Sequence, residues 1–305
     1  MYVTPSAPLS IGGVIDDAIR LYRSSFTRCW LLAFLPAVAF GIWAIAAASY
    51  IPGYAYGSFL THSPAQQMAL AKQHPLPGVM ILYMLILTLV SLSFQGAVAA
   101  RQAAVARGDE SFTLGRAFAT GFLRLPTFIL SSILLYLAII GVVVVLMLVV
   151  VLPLSFLLKS PHPVGQGVAS LGFALLGFAA MIALMGRLQL FMAAIYIDRE
   201  GPLASLKSSW RLTQRHWWRA MVILTTALIM MLVLYLALSM LSYLSGYLTH
   251  YGPAQRFVIG PLLLAATYTT IYPLGAAVWV AMYNDFKLRR EGGDLAARVG
   301  ALTSV

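Results

Sequence analysis

Residues Thr127–Leu158 read TFILSSILLYLAIIGVVVVLMLVVVLPLSFLL, without a single charge. A helix crosses the hydrocarbon core of a bilayer with roughly 20 apolar residues, so this stretch predicts a membrane span with length to spare. Pro153, near its far end, predicts a kink, a tilt or a last turn lying in the interface. Working outward, five more runs meet the same criterion: Trp30–Tyr50, Val79–Ala100, Val168–Ile197, Ala220–Leu248 and Phe257–Tyr283. The fold class that follows is an all-α integral membrane protein with six transmembrane helices.

Composition agrees. Of 305 residues, 61% are hydrophobic and 10% charged, against about 45–50% apolar and about 25% charged in soluble domains. The mean hydropathy is +0.87. No stretch between spans is much longer than about thirty residues, the scale of loops rather than domains, which leaves no place for a soluble catalytic domain. The first apolar run starts behind Arg20, Arg23 and Arg28 and is long enough to span, so a cleaved signal peptide is not expected. Cys29 is the only cysteine, which excludes a disulfide framework and a thiolate metal site.

The net charge of +11 reads as basic loops at a membrane surface rather than a nucleic-acid footprint. Sixteen of the 20 Lys and Arg fall in the segments before span one, between spans two and three, between four and five, and after six. The loops on the other side hold Lys72, Lys159 and Arg256, and Arg187 lies inside span four. The positive-inside rule then places both termini in the cytoplasm. All nine acidic residues fall on that side and none within a span, which counts against proton-coupled transport.

Three cytoplasmic segments carry apolar residues at helical spacing. The first has Ile11, Val14, Ile15, Ala18, Ile19, Tyr22 and Phe26. The second has Leu114, Ala117, Phe118, Gly121, Phe122 and Leu125. The third has Leu203, Leu206, Trp210, Thr213 and Trp217. Arg20 and Arg23, then Arg116, then Lys207, Arg211 and Arg215 lie opposite, the pattern of an interfacial amphipathic helix. Ser111 can cap the second helix, and Pro202 suits the first turn of the third. The triplets Ile19-Arg20-Leu21, Leu123-Arg124-Leu125 and Trp210-Arg211-Leu212 correspond. So do Arg107-Gly108-Asp109-Glu110, Arg199-Glu200-Gly201 and Arg290-Glu291-Gly292. The expected organisation is one polytopic domain, 1–305, built as a threefold repeat of interfacial helix plus hairpin. The repeat units are 1–110, 111–200 and 201–294, followed by a short cytoplasmic tail, 295–305.

Three stretches carry a family resemblance. They are Leu9-Ser10-Ile11-Gly12 through Asp16-Asp17-Ala18-Ile19-Arg20-Leu21-Tyr22-Arg23, Gly201-Pro202-Leu203-Ala204-Ser205-Leu206-Lys207-Ser208-Ser209-Trp210-Arg211-Leu212-Thr213, and Tyr283-Asn284-Asp285-Phe286-Lys287-Leu288-Arg289-Arg290-Glu291-Gly292. Together they resemble the membrane domain that precedes the catalytic barrel in some bacterial glycerophosphodiester phosphodiesterases, and its stand-alone six-span relatives. The 305 residues leave no room for that barrel, and no catalytic residue of the family has a matching position, so the phosphodiesterase activity is not carried over. The resemblance implies a bacterial inner-membrane protein near lipid metabolism.

Arg187 is the most informative single residue. It lies eleven residues before Asp198, roughly 16 Å along an uninterrupted helix, and an intramembrane arginine pairs, faces a cavity or snorkels. Gln95 in span two is a candidate partner. Thr267, Thr270 and Tyr272 precede or flank Pro273 in span six, where hydroxyls can satisfy the backbone freed by proline or line a pathway. Ala33, Ala37 and Gly41 form a close-packing face of span one. Trp217-Trp218-Arg219 fits an aromatic belt. Arg20, Arg124, Arg211, Trp217 and Trp218 are the candidates for headgroup contact. His62, His74, His162 and His250 fall in external loops without helical ligand spacing, so neither a metal site nor a cofactor is expected. No nucleophile or nucleotide motif is present.

Three functions compete on this reading. The first is a non-catalytic inner-membrane protein that binds, senses or organises anionic lipid, or scaffolds a protein partner or a second copy of itself. The second is a transporter or channel for a lipid-like or anionic solute. The third is an intramembrane enzyme, which the missing carboxylates and nucleophile motif disfavour.

Overall fold

The computed structural model describes residues 2–50, 78–109, 111–151, 163–248 and 253–303. Among these there is no strand. The elements are α1 (Ile11–Tyr50), α2 (Gly78–Ala106), α3 (Leu114–Leu123), α4 (Leu125–Leu146), α5 (Pro163–Leu188), α6 (Phe191–Ile197), α7 (Pro202–Thr213), α8 (Trp217–Leu248) and α9 (Pro253–Thr303). Five stretches are long and apolar enough to cross a membrane: Ile11–Trp43, Gly78–Ala106, Leu125–Val149, Leu175–Ile197 and Trp217–Met240.

The expected first interfacial helix is not a separate element. Its residues form the first turns of α1, which runs unbroken into the span. The reason lies in one continuous buried stripe: Val14, Ala18, Leu21, Ser25, Cys29, Leu32 and Ala37 recur every three to five residues along the whole helix, so no register change invites a bend. The expected sixth span, Phe257–Tyr283, lies inside α9, and the expected tail is helical through Thr303. Ser111 does not cap α3. That role falls to Thr113, whose hydroxyl accepts from the Arg116 N–H, while the Ser111 hydroxyl donates to Asp109. Pro202 does occupy the first turn of α7. α4 ends in a π-helical turn, Met147–Val151; Pro153 lies outside the described residues.

The chain forms two compact units. The first comprises Met1–Thr4, Ile15–Leu125 and Thr226–Ala281; the second comprises Pro5–Val14, Pro126–Thr225 and Met282–Val305. In the first unit the core is built from small residues. Ala97, Val98, Ala100 and Ala104 of α2 meet Cys29 and Leu32 of α1, Ala117 of α3 and Ala276 of α9. Within a bilayer the lipid is as apolar as leucine, so helices associate by close packing, which small residues permit. The closest approach is at Gly121 of α3, where an added Cβ would stand 2.2 Å from the Ser93 carbonyl oxygen. Phe94, Phe118 and Phe122 close over this contact with ring centroids 4.4 to 6.1 Å apart.

In the second unit, α7 reverses the soluble pattern. Ser205, Ser208, Ser209, Leu212 and Thr213 are buried, while Leu203 is 70% exposed and Trp210 is also exposed. Of the apolar face read from the sequence, Leu203 and Trp210 look outward, Leu206 and Trp217 are half-buried and Thr213 is buried, while the serine face packs against α5, α6 and α4. The Ser131 and Ser205 hydroxyls lie 3.3 Å apart across the α4–α7 contact.

Candidate functional site

The first unit contains an open cavity of about 280 Å³. α1 contributes Ala33, Ala37 and Phe40; their small or flat side chains keep the wall thin. α2 runs alongside with Leu87, Thr88, Ser91 and Gln95, and α9 closes the third side with Tyr268 and Tyr272. The Tyr272 hydroxyl donates to the Ser91 carbonyl at 2.7 Å, which holds α9 against α2. Tyr268 meets Phe40 edge-on with centroids 5.9 Å apart. The walls are mostly apolar. Among the described residues nothing hydrogen-bonds the Gln95 carboxamide, which lies at the cavity surface.

Gln95 and Tyr272, two of the residues singled out in the sequence, therefore share one cavity. The other two candidates of span six do not join them there. Thr267 and Thr270 donate to the carbonyls of Leu263 and Ala266, one turn back on their own helix. A second glutamine of α2 ties it to its neighbours: fully buried Gln102 donates to the Pro273 carbonyl of α9 at 2.8 Å and to the Ser25 hydroxyl of α1 at 3.3 Å. Gln102 sits in an alanine-rich helix and carried no periodic signal of its own.

Arg187 lies in the second unit. The helix expected to run from it to Asp198 is interrupted at Gln189–Leu190, so a depth counted along one continuous helix does not apply. The break frees the Arg187 carbonyl, and α7 supplies the replacement partners. The Ser209 and Thr213 hydroxyls both donate to it at 2.9 Å, and Ser209 accepts the Leu190 N–H at 3.1 Å. This is why the serine face of α7 turns inward. The Arg187 guanidinium lies over the Trp210 ring, 4.5 Å from its centroid, a cation–π contact. Gln189 donates to the Ala220 carbonyl at 3.4 Å.

Sequence reading missed the buried carboxylates, because every acidic residue lay outside the apolar runs. Asp285 of α9 is 3% exposed. Arg219 reaches it at 3.2 Å and Arg289 at 2.9 Å, and the Leu9 N–H donates to it at 2.8 Å. Both arginines also donate to the Leu9 carbonyl. Arg219 thus turns inward and is not the third member of an aromatic belt, while Trp218 is exposed beside half-buried Trp217. Asp198 accepts from Tyr283 at 2.7 Å and pairs with Lys287 at 2.8 Å. In the first unit Asp17 is 2% exposed, receives the Tyr2 hydroxyl at 2.8 Å and lies 3.7 Å from Arg20. Burial, with the Asp17 carboxylate beside it, holds the Tyr2 phenol above its ordinary range.

The headgroup candidates divide accordingly. Arg20 is committed in part to Asp17, and the Arg124 N–H closes α3 through the Thr120 and Phe122 carbonyls. Arg211 is exposed, and its carbonyl accepts from Arg290. His62, His74, His162 and His250 lie outside the described residues. No cluster of three or more metal-ligating side chains occurs among those that are described.

With five helices of this length and apolarity among its described residues, the chain is a multi-pass membrane protein. Residues 53–286 match the family described as Domain of unknown function (DUF7847), and the chain belongs to that family. No curated protein and no solved structure matches it.

Proposed function

We propose that the protein is a non-catalytic component of a bacterial inner membrane that binds and organises anionic lipid at the cytoplasmic leaflet. The observation that carries this reading is the outward face of the two short helices. Leu114, Phe118 and Leu123 on α3, and Leu203 and Trp210 on α7, are exposed next to Arg116, Lys207 and Arg211. Apolar side chains flanked by exposed cations seat a helix at the boundary of acyl chains and headgroups. In this reading α9 carries a sixth span. Sixteen of 20 basic residues then lie on the cytoplasmic side with both termini.

A threefold repeat completes the reading and receives local support. Two residues beyond the end of α2 stands Gly108 with φ +72°, and two beyond the end of α6 stands Arg199 with φ +57°. The residue after each donates back into the preceding helix: Asp109 to Ala104 and Glu200 to Ala194. Two successive segments thus share one left-handed helix termination. The resemblance to phosphodiesterase membrane domains points the same way, toward lipid.

The test is extraction into nanodiscs with surrounding bilayer, followed by mass spectrometry of the retained lipids against bulk membrane. The expected result is enrichment of anionic lipid that falls when Arg116, Lys207 and Arg211 are all changed to Glu. A bulk-like profile in the unaltered protein would overturn the reading and direct the search to a protein partner.

A further inference from the structure

We propose that Arg187 and Trp210 form a discrete site for one anionic phospholipid, the guanidinium taking the phosphate and the indole ring holding the guanidinium in place. This deepens the lipid-binding reading and rests on it for the ligand class and for the placement of α7 at the membrane boundary. Arg116, Lys207 and Arg211, on which that reading is tested, are not part of this contact.

Three observations converge, all within the second unit. First, the guanidinium lacks an acceptor. Arg187 lies inside the apolar stretch Leu175–Ile197, where an arginine needs a partner. Among the described residues no hydrogen bond and no ion pair engages its side chain, and what it touches is the Trp210 ring, 4.5 Å away. A ring face attracts the charge but has no oxygen to offer, so the contact orients the group and leaves its fork of N–H donors without an acceptor. Other arginines of this unit are provided for: Arg219 and Arg289 bond Asp285, and Arg290 bonds the Arg211 carbonyl. Second, the arginine is fixed in advance of any ligand. Ser209 and Thr213 each hold its carbonyl at 2.9 Å, and the helix that carries them also carries Trp210. Next to it, Gly186 packs on α8 so closely that an added Cβ would stand 2.6 Å from the Met221 side chain. A donor set held rigid before binding loses little freedom when it binds. Third, the surroundings suit an amphiphile. The two hydroxyls bring Arg187 to the level of α7, which in the lipid-binding reading lies where headgroups meet acyl chains. Ala180 and Leu176 stand seven and eleven residues earlier, about two and three turns away on the same face of α5. Ala180 is half-buried and Leu176 exposed, so an apolar track leads from Arg187 along α5. A guanidinium fork matches two oxygens of a phosphate, and a phospholipid brings that phosphate already joined to hydrocarbon.

The experiment is native mass spectrometry of the full chain released from nanodiscs of phosphatidylglycerol, with glycerol phosphate as a soluble competitor. The unaltered protein is expected to keep one phosphatidylglycerol per chain, and glycerol phosphate should not displace it. Arg187→Gln should weaken that retention about tenfold or more, the equivalent of a lost charge-assisted hydrogen bond. Arg187→Lys keeps the charge without the fork and should fall between the two. Trp210→Leu, which frees the guanidinium to swing, should weaken retention about threefold. The helix contacts at position 187 use the main-chain carbonyl, so both variants there should keep the helix content of the parent. Leu85→Phe, at an exposed position of α2, should leave retention unchanged. Retention in Arg187→Gln equal to that of the parent would overturn the site. Displacement by glycerol phosphate would also overturn it, in favour of a free-anion site. The two readings fail separately. A bulk-like lipid profile with one phosphatidylglycerol lost in Arg187→Gln would remove the outward-face reading and support this site. Enrichment lost in the triple charge reversal, with Arg187→Gln equal to the parent, would do the opposite.

Discussion

Arg219 and Asp285 stand 66 residues apart in sequence and 3.2 Å apart in space, with the Leu9 N–H donating to the aspartate and the Leu9 C=O accepting from the arginine. A buried ion pair gains little over an apolar replacement of both partners, but removing one partner leaves the other charge uncompensated. Asp285→Asn therefore should destabilise the protein by about 3–5 kcal/mol. It should also release the first ten residues to limited proteolysis. Denaturation of the detergent-solubilised variant, read alongside the cleavage pattern, checks both effects.

Gly121 and Gly115 lie six residues apart on the same short helix and should respond oppositely to alanine. A Cβ on Gly121 meets the backbone oxygen of Ser93, which no rotamer change can move, whereas the one at Gly115 meets only the Thr113 hydroxyl at 4.0 Å. Gly121→Ala should cost about 1–3 kcal/mol by overpacking. Gly115→Ala should be neutral or stabilise through helix propensity, by up to about 1 kcal/mol. Equal melting temperatures for the two variants would contradict the close approach of α3 to α2.

The Ser209 hydroxyl serves two backbone groups left over by the break between α5 and α6, accepting from Leu190 and donating to Arg187. Ser209→Ala strands the Leu190 N–H and leaves Arg187 to Thr213 alone. A cost of about 1–3 kcal/mol is expected for the stranded donor. Amide exchange at Leu190 should rise in the variant while exchange within α8 stays as before.

Glu200 gives the protein a pH dependence of definite sign. Burial raises its carboxyl above the ordinary 4.5 and the Asp198 charge adds to this, while the Ser208 hydroxyl, Arg211 and Lys287 oppose it. The folded chain therefore holds this proton more tightly than the unfolded chain. Its contribution is fully present below the ordinary value and is lost as pH climbs through the raised one. Glu200→Gln should melt like the parent at pH ~4 and above it at pH ~7. A parallel shift at both values would remove this group as the cause.

Five spans were legible because the bilayer imposes length and apolarity on any helix that crosses it, and Leu125–Val149 satisfies both without ambiguity. The faces were harder. On α7 the spacing of Leu203, Leu206 and Trp210 is correct, but periodicity alone does not say whether an apolar face looks at protein or at lipid. The burial of Ser205 and Ser209 depends on backbone groups freed elsewhere. The break after Leu188 carries no glycine or proline at Gln189–Leu190, and what holds it open comes from a helix about twenty residues later. Gln95 and Tyr272 each stood out as polar residues in apolar runs. That they share a cavity is a tertiary fact about α2 and α9, which no local pattern contains.

At the N-terminal clamp, Asp285 and the two arginines grip Leu9 by its N–H and C=O. What is recognised there is the main chain of one residue, the N–H of one peptide unit and the C=O of the next, at a fixed distance from the start of α1, and the leucine side chain makes none of these bonds. Any residue with an amide hydrogen can stand at position 9; proline alone cannot. The constraint is on counting. One residue inserted or removed between Leu9 and Ile11 would misplace these two groups by a full chain step, while substitution at position 9 by any residue but proline would keep both of them. Relatives that vary in residue at this place and never in length would carry the mark of that arithmetic.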